Sequence, residues 1–324
     1  MKQAKHMFII VLAAVGVIAA MMMGLKFAFS RMVSAAKPQL PAPIAPMQPA
    51  EVRVKVEERN AAPLENGAVV AASDAVAIVC GNGANVDRYE TRNGALRSIA
   101  RRRDLPKEDV AALMDYLAST KDAMRVERVA ALKNDVMNLL RNQEPPVEGL
   151  ADALIAMFDG GAHPPAVLDY CIQHLGAMQG GLNDTARRRV LAVLAMAAAR
   201  KGQSYAGTAL YSLAADRRAT PQQLEELKRL TLALCGPDAN PAARVAAIQL
   251  AGERGFAEAL PVLRKALSSP RRDAVLDIVA IGSVGLLGDS SDSPRLSHFM
   301  KCDSRRASAA EAAIRRINER SGAK

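Results

Sequence analysis

The chain has 324 residues, of which 50% are hydrophobic and 3% aromatic, and it contains no tryptophan. Good helix formers dominate and alternating β-branched patterns are rare, so the composition predicts an all-α protein. Half of the net charge of +10 lies in residues 1–50, which hold five lysines and arginines and no acidic residue. The remainder has a small basic excess and no accompanying set of aromatic residues, which argues against a nucleic-acid-binding function.

Residues 1–30 contain an uninterrupted run of apolar and small residues from Met7 to Leu25. About 20 helical residues cross a bilayer, so this run predicts an uncleaved transmembrane signal anchor. Small residues before Arg31 and Lys37 leave open a cleaved signal peptide and secretion. We expect a single-pass membrane protein whose long C-terminal part is on the outer or periplasmic side, although basic residues flank the run on both sides.

Residues 31–60 are predicted to be a proline-rich linker, because five prolines fall between Pro38 and Pro49. The twelve residues 38–49 favour an extended polyproline II conformation and would span up to roughly 37 Å, at about 3.1 Å per residue. A ligand for a proline-binding module is the alternative interpretation. Residues 61–92 precede the helical domain and show no clear secondary-structure pattern, except that Asp74 to Cys80, followed by Gly81, predicts one short helix.

Residues 93–324 carry regular helix signals up to the C-terminus, which predicts one domain of antiparallel helix pairs. Thr220-Pro221-Gln222-Gln223 has a capping-box pattern with proline at the first helical position, and Asn240-Pro241 has the same start. Asp184 is predicted to cap another helix. The fold class expected is therefore an all-α solenoid.

A pattern with a step of 33 residues recurs near the C-terminus. It includes the series Ala247, Ala280, Ala313; Ile248, Ile281, Ile314; Ala251, Val284, Ile317; and the pair Gly255, Gly288. A fixed period between 20 and 50 residues with helical spacing inside each unit is typical of stacked helix pairs.

The segment Asn240-Pro241-Ala242-Ala243-Arg244-Val245-Ala246-Ala247-Ile248, followed by Gly255 and by residues 258–263, resembles a HEAT repeat. The resemblance is to the short type also seen in phycobilisome-lyase-like repeats. It is clear for residues 240–320, whereas residues 93–235 share only the helix rhythm. The resemblance implies an armadillo-type superhelix that binds other proteins, and it transfers neither catalytic residues nor lyase activity.

Residues suited to catalysis or metal binding are sparse. None of the four histidines stands in a His-Glu-x-x-His motif, and although Cys171 and His174 could share a helix face, no second pair accompanies them. We therefore expect no cofactor, no metal and no enzymatic activity. Stacked repeats would place Cys171, Cys235 and Cys302 on the order of 20 Å apart, so the four cysteines are predicted to be free and largely buried thiols.

Clusters of arginine are the remaining candidates for a binding site. Arg271-Arg272 and Arg305-Arg306 occupy corresponding repeat positions and are predicted to stack into one basic ridge, which Arg187-Arg188-Arg189 and Arg101-Arg102-Arg103 could extend. Such a ridge could contact acidic protein, anionic lipid or nucleic acid. The alternative is an ordinary solvated face, neutralised by Asp273, Asp303 and Glu311.

The function expected from the sequence is a membrane-anchored or exported scaffold for an unidentified protein partner. The first alternative is a lyase-type or enzyme-accessory solenoid that binds a small ligand in its groove. The second is a membrane-anchored nucleic-acid binder, which the low basic excess makes the least favoured.

Overall fold

The computed structural model describes residues 72–83, 85–269 and 273–322, all within the compact unit Gly67–Lys324. These residues form fourteen α-helices and no β-strand, as the composition predicts. The helices are α1 (Ala72–Val79), α2 (Tyr89–Ile99), α3 (Lys107–Ala118), α4 (Val126–Arg141), α5 (Leu150–Gly160), α6 (Pro165–Met178), α7 (Asp184–Ala199), α8 (Tyr205–Ala214), α9 (Pro221–Leu234), α10 (Pro241–Arg254), α11 (Leu260–Leu267), α12 (Ala274–Leu287), α13 (Ser293–Ser297) and α14 (Ser304–Gly322). Short 3₁₀ turns lie at Gln179–Gly181, Ala257–Ala259, Ser290–Asp292 and His298–Lys301.

The helices pack in two layers. Even-numbered helices contact one another in sequence from α2 to α14, and odd-numbered helices do so from α1 to α9. Each odd-numbered helix also packs against the even-numbered helix that follows it, from α1 with α2 to α13 with α14. Short connections make such neighbours antiparallel. The described residues therefore form a stack of helix pairs, which we divide below into an even layer and an odd layer.

The 33-residue series supplies the core of the C-terminal repeats. Ala247, Ala280 and Ala313 are fully buried, as are Ile248 and Ile281 one residue later. Ala251, Val284 and Ile317 are buried one helical turn further on, while Ile314 is only partly buried. A short alanine at the first position allows neighbouring even-layer helices to pack closely, and the larger aliphatic residues fill the space between the layers.

Helix starts follow from local capping chemistry. Thr220 accepts a hydrogen bond from the Gln223 backbone N–H, and the Gln223 side chain accepts one from the Thr220 N–H, which confirms the predicted capping box. Asn240 caps α10 through the Ala242 N–H, with Pro241 in the first turn. The prediction for α7 was wrong by one residue: Asn183 is the cap and accepts from the Ala186 N–H, while Asp184 begins the helix.

The N-terminal side of the stack begins before residue 93. Helix α1 lies in the region where the sequence predicts a short helix, and it packs against both α2 and α3. Among the described residues, no helix combines the length and hydropathy needed to cross a bilayer. The predicted anchor in residues 1–30 and the linker in residues 31–60 lie outside the described residues.

Candidate interaction surface

Of the predicted basic ridge, Arg305 and Arg306 lie in the first turn of α14, in the even layer. The Arg306 guanidinium is 3.0 Å from Asp277 of α12 and 2.5 Å from Asp303, so its charge is compensated inside the chain. The side chain of Arg305 is exposed. Arg271 and Arg272 lie outside the described residues, so the predicted ridge through them stays a prediction.

Arg187, Arg188 and Arg189 lie on α7, which belongs to the other layer. Arg187 is buried and pairs with Asp216, while Arg189 is 2.7 Å from Asp152 of α5. The exposed Arg188 contacts Thr185 on its own helix. The arginines of α7 and those of α14 therefore lie in different layers. At least one arginine of each group forms an ion pair within the chain.

A second surface, which the sequence reasoning missed, is the outward face of the even layer at α12. Val275, Ile278, Val279, Gly282 and Leu286 follow helical spacing along one side of that helix. Val275 is 43% exposed and Leu286 is 40% exposed. Because the only charged residue of α12, Asp277, is buried, an apolar stripe remains on the solvent side.

Polar residues continue this face onto the neighbouring helices of the even layer. Partly or fully exposed side chains on this face include Asp169, Tyr170 and Gln173 on α6, Thr208 and Tyr211 on α8, and Val245, Gln249 and Glu253 on α10. Together with the α12 stripe, we call these residues the even-layer face. Burial raises the pKa of Asp169, and burial with the nearby Glu253 carboxylate raises the pKa of Tyr211. The sequence signal for this face is the 33-residue step, which aligns Val245, Gln249 and Glu253 with Ile278, Gly282 and Leu286.

Comparison with known protein families supports the repeat assignment at the C-terminal end. The family model for HEAT repeats matches residues 227–315, which include α10 to α13 and most of α14. Residues 227–315 are HEAT repeats. The predicted resemblance over residues 240–320 is thereby confirmed for nearly all of that range, whereas residues 93–226 are a helical stack outside the match. Comparisons with curated proteins and with solved structures found no significant match.

The helices that precede the HEAT repeats enclose a buried polar cluster. Arg92 donates to the Val79 carbonyl and to Asp122, each at 2.8 Å, and its guanidinium stacks on the Tyr116 ring. Lys133 is 1% exposed and donates to the backbone carbonyls of Leu117 and Ser119 at the end of α3. Burial lowers the pKa of Lys133 to about 8. This cluster connects α1, α2, α3 and α4. Several of its hydrogen bonds are to main-chain carbonyls, which every residue type has, so no sequence motif marks the cluster.

The two residues considered for a metal site have structural roles instead. Cys171 is buried, and burial raises the pKa of its thiol to about 12. His174 is buried and its Nε2 lies 3.2 Å from the Asn134 Oδ1 of α4. Within the described parts of the chain, no three His, Cys, Asp or Glu side chains are placed to share a metal ion.

All four cysteines are free thiols in the structure, but their burial differs. Cys171 and Cys235 are buried, as the stacking argument predicts. Cys80 is half-buried and Cys302 is exposed, so the prediction of burial is wrong for Cys302. The reason is local, because Cys302 follows the 3₁₀ turn His298–Lys301 in the loop before α14.

Acidification is expected to destabilise the stack through His174. Burial lowers its pKa to about 4, whereas an unfolded chain would retain an ordinary value near 6.5. Between pH 6.5 and pH 4 the unfolded state therefore binds a proton that the folded state does not, so the free energy of unfolding falls as the pH falls. We expect His174 to account for a loss of about 2 to 3 kcal/mol between pH 7 and pH 4.5 in urea titrations.

His174→Gln tests this contribution, because it retains an amide donor for Asn134 but cannot titrate in this range. We expect the variant to lose less stability than the wild-type chain between the two pH values. His298→Gln is the matched control, since His298 is exposed in the last connection. If the pH dependence of His174→Gln equals that of His298→Gln, the attribution to His174 is wrong.

Two surface hollows bear on the alternative of a small ligand. One lies against α14 and is lined by Met300, Ile314 and Glu319, among others. The other lies between α2 and α4 and is lined by Asn93, Arg97 and Asn138, among others. Neither contains a cluster of reactive groups, so neither supplies a specific observation in favour of ligand binding.

Proposed function

We propose that this chain is a non-catalytic protein-interaction scaffold whose partner binds along the even-layer face. HEAT repeats commonly mediate protein–protein contacts, and the match over residues 227–315 supports the same role here. The observation that carries the proposal is the apolar stripe of α12, which contains two large hydrophobic residues that are 43% and 40% exposed. Contiguous exposed apolar surface is typical of sites that bind another molecule.

The proposal includes membrane attachment through residues 1–30. The apolar run Met7 to Leu25 supports an anchor, and the proline-rich segment after it supports a spacer between the membrane and the helical stack. Protease accessibility of the helical stack in sealed vesicles of known orientation tests the expected outer or periplasmic location. Digestion in intact vesicles supports that location, whereas protection until the vesicles are opened contradicts it.

Site-specific photo-crosslinking in living cells tests the interaction role. A photoreactive amino acid at Leu286 is expected to give a discrete cross-linked adduct of the full-length chain. The matched control has the same amino acid at Glu225, which is exposed on α9 in the odd layer. The adduct should disappear when Val275→Ser is added, because that change removes a neighbouring part of the stripe. Equal adducts at both positions, or none at Leu286, would contradict the proposed surface.

A further inference from the structure

Helices α12 and α14 lie side by side in the even layer. The Arg306 guanidinium of α14 is 3.0 Å from the Asp277 carboxylate of α12, and a Cβ on Gly285 would lie 2.6 Å from the Ala313 Cβ. The first contact joins residues 29 positions apart and the second joins residues 28 positions apart, so the two helices run in nearly the same register. The apolar stripe of α12 therefore lies beside the first three turns of α14.

The border of α14 with this stripe carries two arginines. Ala313 faces α12, and Ala310 and Ile317 are buried, which fixes how the helix is turned. Helical spacing then places four residues on its solvent side next to α12, namely Arg305, Ala309, Ala312 and Arg316. Both arginines are exposed and lie about 17 Å apart along the helix axis, which is also the length of the stripe. We call the apolar stripe together with Arg305 and Arg316 the α12–α14 surface.

These two arginines are not neutralised within the described residues, where their guanidinium groups form no ion pair and no hydrogen bond. Asp303, the acidic residue nearest to Arg305 in the sequence, pairs instead with the Arg306 side chain at 2.5 Å. Glu311 and Glu319 line the hollow against α14 and are not within ion-pair distance of either arginine. With five arginines and two glutamates, α14 has a net charge of +3.

The rest of the surface adds no compensating charge. On the opposite border of the stripe, Glu253 of α10 is followed by Arg254, and both are exposed. The only charged residue of α12, Asp277, is buried and paired with Arg306. The α12–α14 surface is therefore aliphatic in the middle and positive along one border, which favours a partner with a negative border.

The aliphatic middle favours a helical partner. The side chains of the stripe carry no hydrogen-bonding group, and at Gly282 no atom lies within 4 Å of an added Cβ, which leaves space for a side chain of the partner. An extended segment laid on this stripe would remove water from its N–H and C=O groups without replacing those hydrogen bonds. An α-helix forms them internally and presents apolar side chains at the spacing of the stripe.

We propose that the α12–α14 surface binds an acidic amphipathic helix of a partner protein. The apolar face of that helix packs along the stripe, and two acidic residues about three turns apart pair with Arg305 and Arg316. This inference rests on the proposed scaffold function and specifies the chemistry of the partner.

Other occupants fit this surface less well. A nucleic acid would use the two arginines, but α12 and α14 contain no aromatic residue on which a base could stack. A membrane surface takes up large apolar side chains such as Trp, Phe and Leu, whereas the stripe contains a single leucine, Leu286. A second copy of this chain would bring two positive borders together.

The test uses the full-length chain in nonionic detergent, with detergent alone as the blank, and three fluorescein-labelled peptides of about 15 residues, or about 22 Å of helix. The glutamate helix has a leucine face and two glutamates three turns apart on one border. The lysine helix has lysines at those two positions, and the proline peptide is the glutamate helix with a central proline that breaks it.

Fluorescence anisotropy should show that the glutamate helix binds about tenfold more tightly than the lysine helix, since two charge pairs become two repulsions. The proline peptide should bind more weakly than the glutamate helix. The affinity of the glutamate helix should fall severalfold between about 50 mM and 300 mM salt, because screening weakens exposed charge pairs.

Variants locate the binding site. Arg305→Gln combined with Arg316→Gln should remove the preference for the glutamate helix. The matched control is Arg188→Gln combined with Lys265→Gln, which removes two exposed positive charges from the odd layer and should leave the preference unchanged. Val275→Ser combined with Leu286→Ser should weaken binding of both helical peptides. Equal melting temperatures of the variants and the wild-type chain establish that each change acts on binding.

The outcomes separate this inference from the proposed function. Equal or tighter binding of the lysine helix or of the proline peptide, or an equal effect of the control variant, would overturn the acidic helix. So would a labelled DNA strand that binds more tightly than the glutamate helix, or a Leu286 adduct with lipid or with a second copy of the chain. If Leu286 cross-links to another protein but the glutamate helix has no advantage, the scaffold function stands and the charge assignment fails. If Leu286 gives no adduct and no peptide binds, both proposals fail.

Discussion

Asp292→Ala is expected to destabilise the HEAT repeats by about 2 to 3 kcal/mol, because it removes a buried carboxylate that accepts hydrogen bonds from two partly exposed arginines and from the main chain. Asp292 is fully buried at the end of the 3₁₀ turn before α13. Its two carboxylate oxygens each lie 2.8 Å from the Arg264 guanidinium, and Arg295 approaches one of them to 3.2 Å. The other oxygen accepts a hydrogen bond from the Asp289 backbone N–H. The substitution leaves these donors without their acceptor.

The matched control is Asp238→Ala, which removes an exposed ion pair with Lys201. Exposed pairs contribute little to stability because water screens them, so this variant should unfold at nearly the wild-type urea concentration. Hydrogen exchange provides a local measurement, since amides of α11 and α12 should lose protection in Asp292→Ala and keep it in Asp238→Ala. If both variants lose the same small amount of stability, the hydrogen bonds of Asp292 do not stabilise the repeat as the structure indicates.

The repeat also explains how burial of Asp292 could have been anticipated. The 33-residue step aligns Asp292 with Ala259, and Ala259 is 1% exposed in the preceding unit. A charged residue at a repeat position that is apolar and buried in the neighbouring unit indicates a buried charge, which needs a partner of opposite charge. The partner is harder to identify, because Arg264 is 28 residues away and its reach depends on how successive repeats pack.

The sequence predicts well those structural features that depend on the local spacing of residues. The helix starts at Thr220 and Asn240 follow from hydrogen bonds within one turn, and the burial of Ala247 and Ala280 follows from the repeat. What it does not predict depends on contacts between distant segments. The arginines of the proposed ridge looked equivalent as sequence clusters, but Arg187 is buried against Asp216, because the loop after α8 returns to α7.

The even-layer face depends partly on local spacing and partly on contacts between distant segments. Its apolar members could be read from the spacing of Val275, Val279 and Leu286, but the same spacing also fits a buried core stripe. The 33-residue step, which aligns Leu286 with Glu253, indicates which side of α12 faces solvent, and the position of Asp277, turned inward toward Arg306, agrees with it. Because α12 has aliphatic side chains on both its buried and its exposed side, the burial of its one charged residue, Asp277, is understood only from the contact with α14.

Gly285→Ala and Gly282→Ala are expected to change stability in opposite directions, although each adds one methyl group to α12. At Gly285 a Cβ would lie 2.6 Å from the Ala313 Cβ and 2.8 Å from the Ala313 Cα of α14. The clash involves backbone, so the two helices must separate, at a cost of about 2 to 3 kcal/mol. At Gly282 no atom lies within 4 Å of the added Cβ, so the higher helix propensity of alanine should stabilise by up to about 1 kcal/mol.

The two variants should therefore differ by about 3 kcal/mol in the free energy of unfolding, measured in urea. Gly252, 33 residues before Gly285, makes the same kind of approach, since its Cβ would lie 3.0 Å from the Ser283 Cα of α12. Gly252→Ala should accordingly destabilise as Gly285→Ala does. If all three alanine variants are more stable than the wild-type chain, the even-layer helices are not in close contact at these points. Destabilisation only at Gly252 and Gly285 would show that this register of small residues sets the spacing of α10, α12 and α14, and thereby the surface that they present to a partner.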